Sequence, residues 1–179
     1  MMKATLPVRI KAFTRYLRGL AKTRDQQAFA DLRNGLDASL ASAVAITPHV
    51  LPFLSDPPEA ADTWFYCVGA LFTLNPRWED DFSIGMAFAH LHARLPDRDR
   101  ALFQALVLCP PEQLPGKLQL IVAVLAKYEI GIDWELLLSD LRQGFTSLSH
   151  VQQAWANDYA RIMEMLEREE LHHTRFINV

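Results

Sequence analysis

Apolar positions recur along the chain at intervals of three and four residues, and no stretch alternates with a period of two. The pattern therefore predicts helices throughout and no sheet. The first helix is predicted from Pro7, a residue suited to a first turn, to about Ala21, with Ile10, Phe13, Leu17 and Leu20 facing inward. A second is predicted from about Arg24 to Ser39, burying Phe29, Leu32 and Leu36. Pro48 and Pro52 predict breaks in ITPHVLPFLS, and Ser55 or Asp56 is the expected helix cap before Pro57. The segment TWFYCVGALFTL is apolar nearly all round and is expected to be the central buried helix of the N-terminal half. Beyond the turn-rich, acidic NPRWEDD, Ser83 is expected to cap a helix reaching Leu95. PDRD then separates it from RALFQALVL, and PPEQLPG interrupts the pattern before a helix from about Lys117 to Tyr128. Asp133 is the expected cap of IDWELLLSDL, and the longest helix is predicted after Ser149, with Val151, Trp155, Tyr159, Ile162 and Leu166 inward. The fold class is all-α, a two-part bundle of about eight or nine helices. Its N-terminal part is expected over 1–96 and its C-terminal part over 97–179, with a soft boundary near Pro96.

A chain of 179 residues is long enough for one domain or two small ones with a real core. Half the residues are apolar and 22% are charged, which excludes a disordered chain. No run of 18 apolar residues occurs, and the basic N-terminus carries no apolar segment of a signal peptide, so neither membrane spanning nor secretion is expected. Cys67 and Cys109 cannot build a disulfide framework, which fits a reducing cytoplasm.

The net charge of −3 excludes a uniformly basic coat, yet that total hides an asymmetry. Residues 1–50 hold eight basic and three acidic side chains, whereas residues 51–150 hold seven and thirteen. Within the first helix Lys11, Arg15, Arg18 and Lys22 recur at i, i+4, i+7 and i+11 with no acid between them, which places four cations on one stripe. Such a stripe is either an ordinary solvated face or an anion-binding one.

Candidate catalytic chemistry is sparse. The six histidines form no HExxH or HxxxH pattern, and His90 and His92 point to different helix faces. No metal site and no cofactor is therefore expected. GxGxxG, GxxxxGK[ST] and GxSxG are all missing, so the usual nucleotide and acyl-transfer scaffolds are lacking and an enzyme is not expected. Glu79, Asp80 and Asp81 read as a solvated loop, and both cysteines read as buried structural thiols. Trp155 and Tyr159 could stack bases, but on an amphipathic helix such a pair packs inward.

Several segments in order, FADLRNGLDASLASAVAITPHVLPFLS, WFYCVGALFTLNP, FSIGMAFAHL, RALFQALVLCPPEQLPGKLQLIVAVLAKYEIGIDWELLLSDL and HVQQAWANDYA, resemble the small subunit of the type I-E CRISPR Cascade complex, the CasB family. They span about residues 28–160. The resemblance implies a non-enzymatic helical protein, present as a pair of copies in a crRNA-guided surveillance complex and contacting its backbone-forming and large subunits. It also implies that crRNA and target DNA are partners, because such a subunit holds the guide–target hybrid and the displaced strand through phosphate contacts. Arg33 and Lys117 match basic family positions, whereas Arg142 stands one residue before the usual one, Gln143. With the periodic stripe of Lys11, Arg15, Arg18 and Lys22, these form the candidate nucleic-acid-binding set. Elsewhere the family's arginines are replaced, by Leu108, Pro111, Gly116, Gln119, Asn34, Met86, Ala154 and Asn157. Intrinsic affinity is therefore expected to be low. The alternative is an all-α adaptor whose stripe binds an acidic protein partner without nucleic acid.

Overall fold

The computed structural model describes residues 5–36, 40–94 and 100–177, and the expected boundary near Pro96 lies outside them. Eight α-helices are assigned among the described residues: α1 (Leu6–Thr23), α2 (Gln26–Arg33), α3 (Leu40–Val50), α4 (Thr63–Phe72), α5 (Ile84–Arg94), α6 (Arg100–Val107), α7 (Leu114–Lys127) and α8 (Trp134–Ile177). The all-α expectation holds.

Helix α1 buries Ile10, Phe13, Leu17 and Leu20, the residues its periodicity selects. Helix α4 buries seven of its ten residues and packs against α1, α2, α3, α7 and α8, as its unbroken apolar composition requires. Helix α5 lies along α8 so closely that a Cβ built on Gly85 would meet the Trp155 carbonyl oxygen at 2.1 Å. Only glycine fits that crossing. Ser83 caps α5 as expected, its hydroxyl accepting from Met86 N–H at 3.2 Å while donating to Asp158 at 2.7 Å.

Three expectations for the N-terminal third need correction. The second helix ends at Arg33 in a 3-10 turn, Asn34–Leu36, instead of running on to Ser39. Pro48 does not break the chain but sits inside α3. Ser42, Ile46 and Val50, four residues apart, are all buried there, and that packing outweighs one missing amide. Neither Ser55 nor Asp56 caps the next helix. Ser55 instead donates its hydroxyl to the Asp62 carboxylate, and a 3-10 turn, Ala60–Asp62, leads into α4.

In the C-terminal half α7 begins three residues before Lys117, at Leu114. Asp133 caps α8 as expected, accepting from Glu135 and Leu136 N–H at 2.9 and 3.0 Å. The predicted break before the longest helix is a kink within α8, at Ser147 (φ −153°, ψ 68°) rather than after Ser149. Gln152 ties the distal arm to α6, donating to the carbonyls of Leu106 and Cys109. Val151, Trp155 and Ile162 are buried, with Tyr159 and Leu166 half-buried.

A hydrogen bond from Trp155 Nε1 to Asp140 Oδ2, 2.7 Å, spans the kink. Burial pushes the Asp140 carboxyl up to about 6, and the negative charges of Asp158 and Asp133 add to that, while the Trp155 bond pulls the other way. Between the unfolded carboxylate value and about 6 the folded chain binds the extra proton, so Asp140 costs stability as pH rises through that window. Asp140→Asn keeps an acceptor for Trp155 and removes the charge. Thermal denaturation should show the variant more stable than wild type at pH 7.5 by about 1–2 kcal/mol, allowing for partial solvent screening, and equal to it at pH 4. An equal difference at both pH values would contradict this assignment.

Candidate nucleic-acid interface

The α1 stripe forms as expected: Lys11, Arg15, Arg18 and Lys22 are all exposed. At 1.5 Å per residue these cations span about 16 Å of helix, against a phosphate charge about every 3.4 Å along one strand. Lys11, Arg15 and Lys22 take no ion pair among the described residues. Arg18 lies over the Trp78 ring, 4.7 Å from its centroid, and 3.5 Å from Asp80. Both charges of that pair are exposed, so it is weak and leaves Arg18 on the surface.

The acidic loop that supplies Trp78 and Asp80 is fixed through its backbone. Glu79 N–H donates to the Ile132 carbonyl at 3.2 Å, Asp133 N–H to Phe82 at 2.8 Å, and Asp81 N–H to Asp133 Oδ2 at 2.9 Å. Asn75 Nδ2 and Trp134 Nε1 bond to the carbonyls of Ile130 and Arg77, at 2.8 and 3.1 Å. The side chains of Glu79, Asp80 and Asp81 remain exposed, as a solvated loop should.

The inner side of α1 is held as firmly. Tyr16 meets His49 Nδ1 of α3 at 2.6 Å, and His49 Nε2 approaches Asp31 of α2 at 3.3 Å. Burial, reinforced by Asp25 and Asp31, raises the Tyr16 pKa, which keeps its hydroxyl protonated. The stripe is thus presented by a fixed helix.

Arg33 is exposed beside this surface, with Nη2 donating to the Thr73 carbonyl at 2.9 Å. Lys117 stands apart on α7, whose partners include α4, α5 and α6. Arg142 must be withdrawn from the surface set. Its side chain is 6% exposed, with Nη1 2.7 Å from Asp62 and Nη2 2.8 Å from Glu59. Burial opposes ionisation of Asp62, but hydrogen bonds from Ser55 and Glu59, and the Arg142 charge, hold its carboxyl below the ordinary range. A guanidinium committed to two carboxylates inside the fold has no charge to offer a phosphate.

Arg24 escaped the sequence reading. It follows α1 immediately, adopts a left-handed conformation (φ 55°, ψ 43°), and lines an open groove together with Arg33. The one sequence signal was a cation just past the end of a cationic stripe. Leu108, Pro111, Gly116 and Gln119, four of the positions where the resemblance leads one to expect arginine, are exposed and place neutral side chains on the α6–α7 face.

The remaining chemistry-bearing residues pack as structure. Trp155 is buried, and Tyr159 stacks on Phe103 and bonds to His92 rather than forming a platform for bases. Burial drives the Cys67 thiol up to about 12 and raises Cys109 as well, which keeps both as neutral thiols.

The family model of CRISPR-associated protein Cse2 matches residues 28–159. The chain belongs to the Cse2 family, also called CasB. Among Cse2 relatives, a CRISPR-associated protein Cse2 of Thermus thermophilus is 28% identical over 155 residues, which are 81% of this chain and 88% of that protein. The solved structure of CasB from M. ruber shares 28% identity and a TM-score of 0.70, covering 91% of this chain and 97% of that one. A chain of a CRISPR RNA-guided surveillance complex shares the fold at a TM-score of 0.78 and 23% identity, covering 93% and 99%. The Cse2 match begins at residue 28, so the α1 stripe lies N-terminal to it.

Proposed function

We propose that this Cse2-family chain is the non-enzymatic small subunit of a type I-E Cascade complex in the cytoplasm, paired with a second copy and seated against the backbone and large subunits. It stabilises the crRNA–target DNA hybrid and the displaced strand by neutralising phosphates. The observation that carries this reading is the uninterrupted stripe Lys11, Arg15, Arg18 and Lys22, exposed on a helix whose other face is locked into the core. Arg33 extends the stripe, and Lys117 adds a separate contact. Because base pairing reads the sequence, such a subunit needs only backbone contacts. The exchange of a DNA duplex for a hybrid is nearly balanced in energy, so a few phosphate contacts suffice to tip it.

Low intrinsic affinity is compatible with this role. Non-specific binding of a free chain falls at about 10⁻⁴ to 10⁻⁶ M. A chain held in an assembly meets its strand at millimolar effective concentration. Fluorescence anisotropy of the full chain with a labelled single-stranded oligonucleotide, at 50–300 mM salt, should give a log–log slope of about −2.8 or steeper, the value for the four stripe phosphates alone being about −2.8. The slope should flatten when Lys11, Arg15, Arg18 and Lys22 are all changed to Gln. Binding that responds neither to salt nor to those substitutions would overturn the assignment. Binding to an acidic peptide alone would favour the adaptor.

A further inference from the structure

A groove of about 380 Å³ opens where α1 turns into α2. Its walls are apolar, formed by Ala21, Phe29, Ala30 and Pro76, and its rim carries Arg24, Arg33, Asp25 and Gln26. Phe29 meets Phe72 of the core at 5.9 Å between ring centroids, so the ring is backed rather than free-swinging. Asp25 uses Oδ1 to cap α2 through Ala28 N–H at 3.0 Å, which leaves its second oxygen for another donor. Arg33 is anchored by Nη2 on the Thr73 carbonyl and keeps further N–H groups for an anion. Two guanidiniums beside an apolar slot, with a carboxylate and an amide at its mouth, match a planar heterocycle attached to a phosphate.

The turn at Arg24 sets the position of the first guanidinium. The φ of 55° there is the conformation that glycine adopts at helix ends without cost, and an arginine holds it under strain. Asp81 and Glu129 also hold positive φ, and at Arg24 it closes α1 by giving the Arg24 N–H to the Leu20 carbonyl; what is particular to Arg24 is that this turn brings a cation to the rim of the groove.

The geometry points to a nucleotide site: the groove between α1, α2 and Pro76 takes an unpaired base of a single strand, with its phosphate held by Arg24 and Arg33. This rests on the phosphate-binding reading above and deepens it, since a stripe alone follows backbone whereas a groove engages the base. The charge complementarity is continuous, because Lys22 adjoins Ala21 of the groove wall at the end of the stripe.

The full chain should be titrated with a ten-residue thymidine oligonucleotide and with a ten-residue abasic one carrying the same phosphates. Wild type should bind the thymidine strand at least about tenfold more tightly, as expected for base stacking in an apolar slot. Ala30→Leu, at an exposed position, should fill the groove and remove that preference while abasic binding stays unchanged. Arg24→Gly should raise the melting temperature by about 2 °C and still weaken thymidine binding, an opposition that a purely structural residue would not produce. Equal affinity of wild type for both strands would overturn the nucleotide site and leave the phosphate reading standing. Binding of neither strand would overturn both, and undiminished thymidine binding by Arg24→Gly would overturn the site.

Discussion

Replacing Arg142 with alanine is expected to destabilise the fold by about 3–5 kcal/mol, as read by urea denaturation followed by far-ultraviolet circular dichroism. The cost comes from what is left behind. Asp62 is almost fully buried, and Arg142 at 2.7 Å is its nearer cation, with Arg9 of α1 at 3.3 Å. Removing Arg142 leaves a buried carboxylate with its hydrogen bonds from Ser55 and Glu59 and only the more distant guanidinium. That one carboxylate joins α1, the turn before α4, and the proximal arm of α8. Glu59→Gln should cost far less, under about 1 kcal/mol, because that carboxylate is 59% exposed. The variant Arg142→Met with Asp62→Leu should not recover the loss, because it strands Arg9 and the Ser55 and Glu59 N–H groups that the same carboxylate serves. A small loss in Arg142→Ala, close to that of Glu59→Gln, would contradict the buried role. Asp62 adds a pH dependence of the ordinary acid kind. Its folded pKa is depressed, so its contribution is present above the unfolded carboxylate value and is lost as pH falls through the folded one.

Arg142 also marks the limit of what the sequence could say about the site. As a residue type beside a basic family position it looked like a phosphate contact. What removed it was Asp62, eighty residues away in sequence, and no periodicity joins the two. The α1 stripe was legible because one helix carries it, and helical spacing alone fixes which side chains share a face. The same is true of the inner faces of α1, α4 and distal α8, and of the caps at Ser83 and Asp133, where a short polar side chain precedes an apolar run. Pro48 was misread because local chain chemistry disfavours a helix there, while the buried Ser42, Ile46 and Val50 are a tertiary effect. The groove at Arg24 was invisible for a related reason. Its walls come from α1, α2 and Pro76, and the loop holding Pro76 is set by hydrogen bonds to residues 130–133.

The other large effect concerns the stripe. Changing Lys11, Arg15, Arg18 and Lys22 together to glutamate should lower single-strand affinity of the free chain by at least about two orders of magnitude at 0.15 M salt, the contribution of four phosphate contacts. The fold should survive, because all four side chains are exposed and the one ion pair they make among the described residues, Arg18 with Asp80, is a solvated one. Unlike Arg142→Ala, this variant should melt within a few degrees of wild type. The two variants would thus separate cations that hold the protein together from those proposed to hold a nucleic acid.

The most direct measurement is the lifetime of the R-loop in a reconstituted crRNA-guided complex carrying the four glutamates, compared with wild type. At low salt, where phosphate contacts are strongest, the lifetime should shorten about tenfold or more while assembly of the complex is unchanged. An R-loop lifetime equal to wild type at low salt, in a fully assembled complex, would contradict the account.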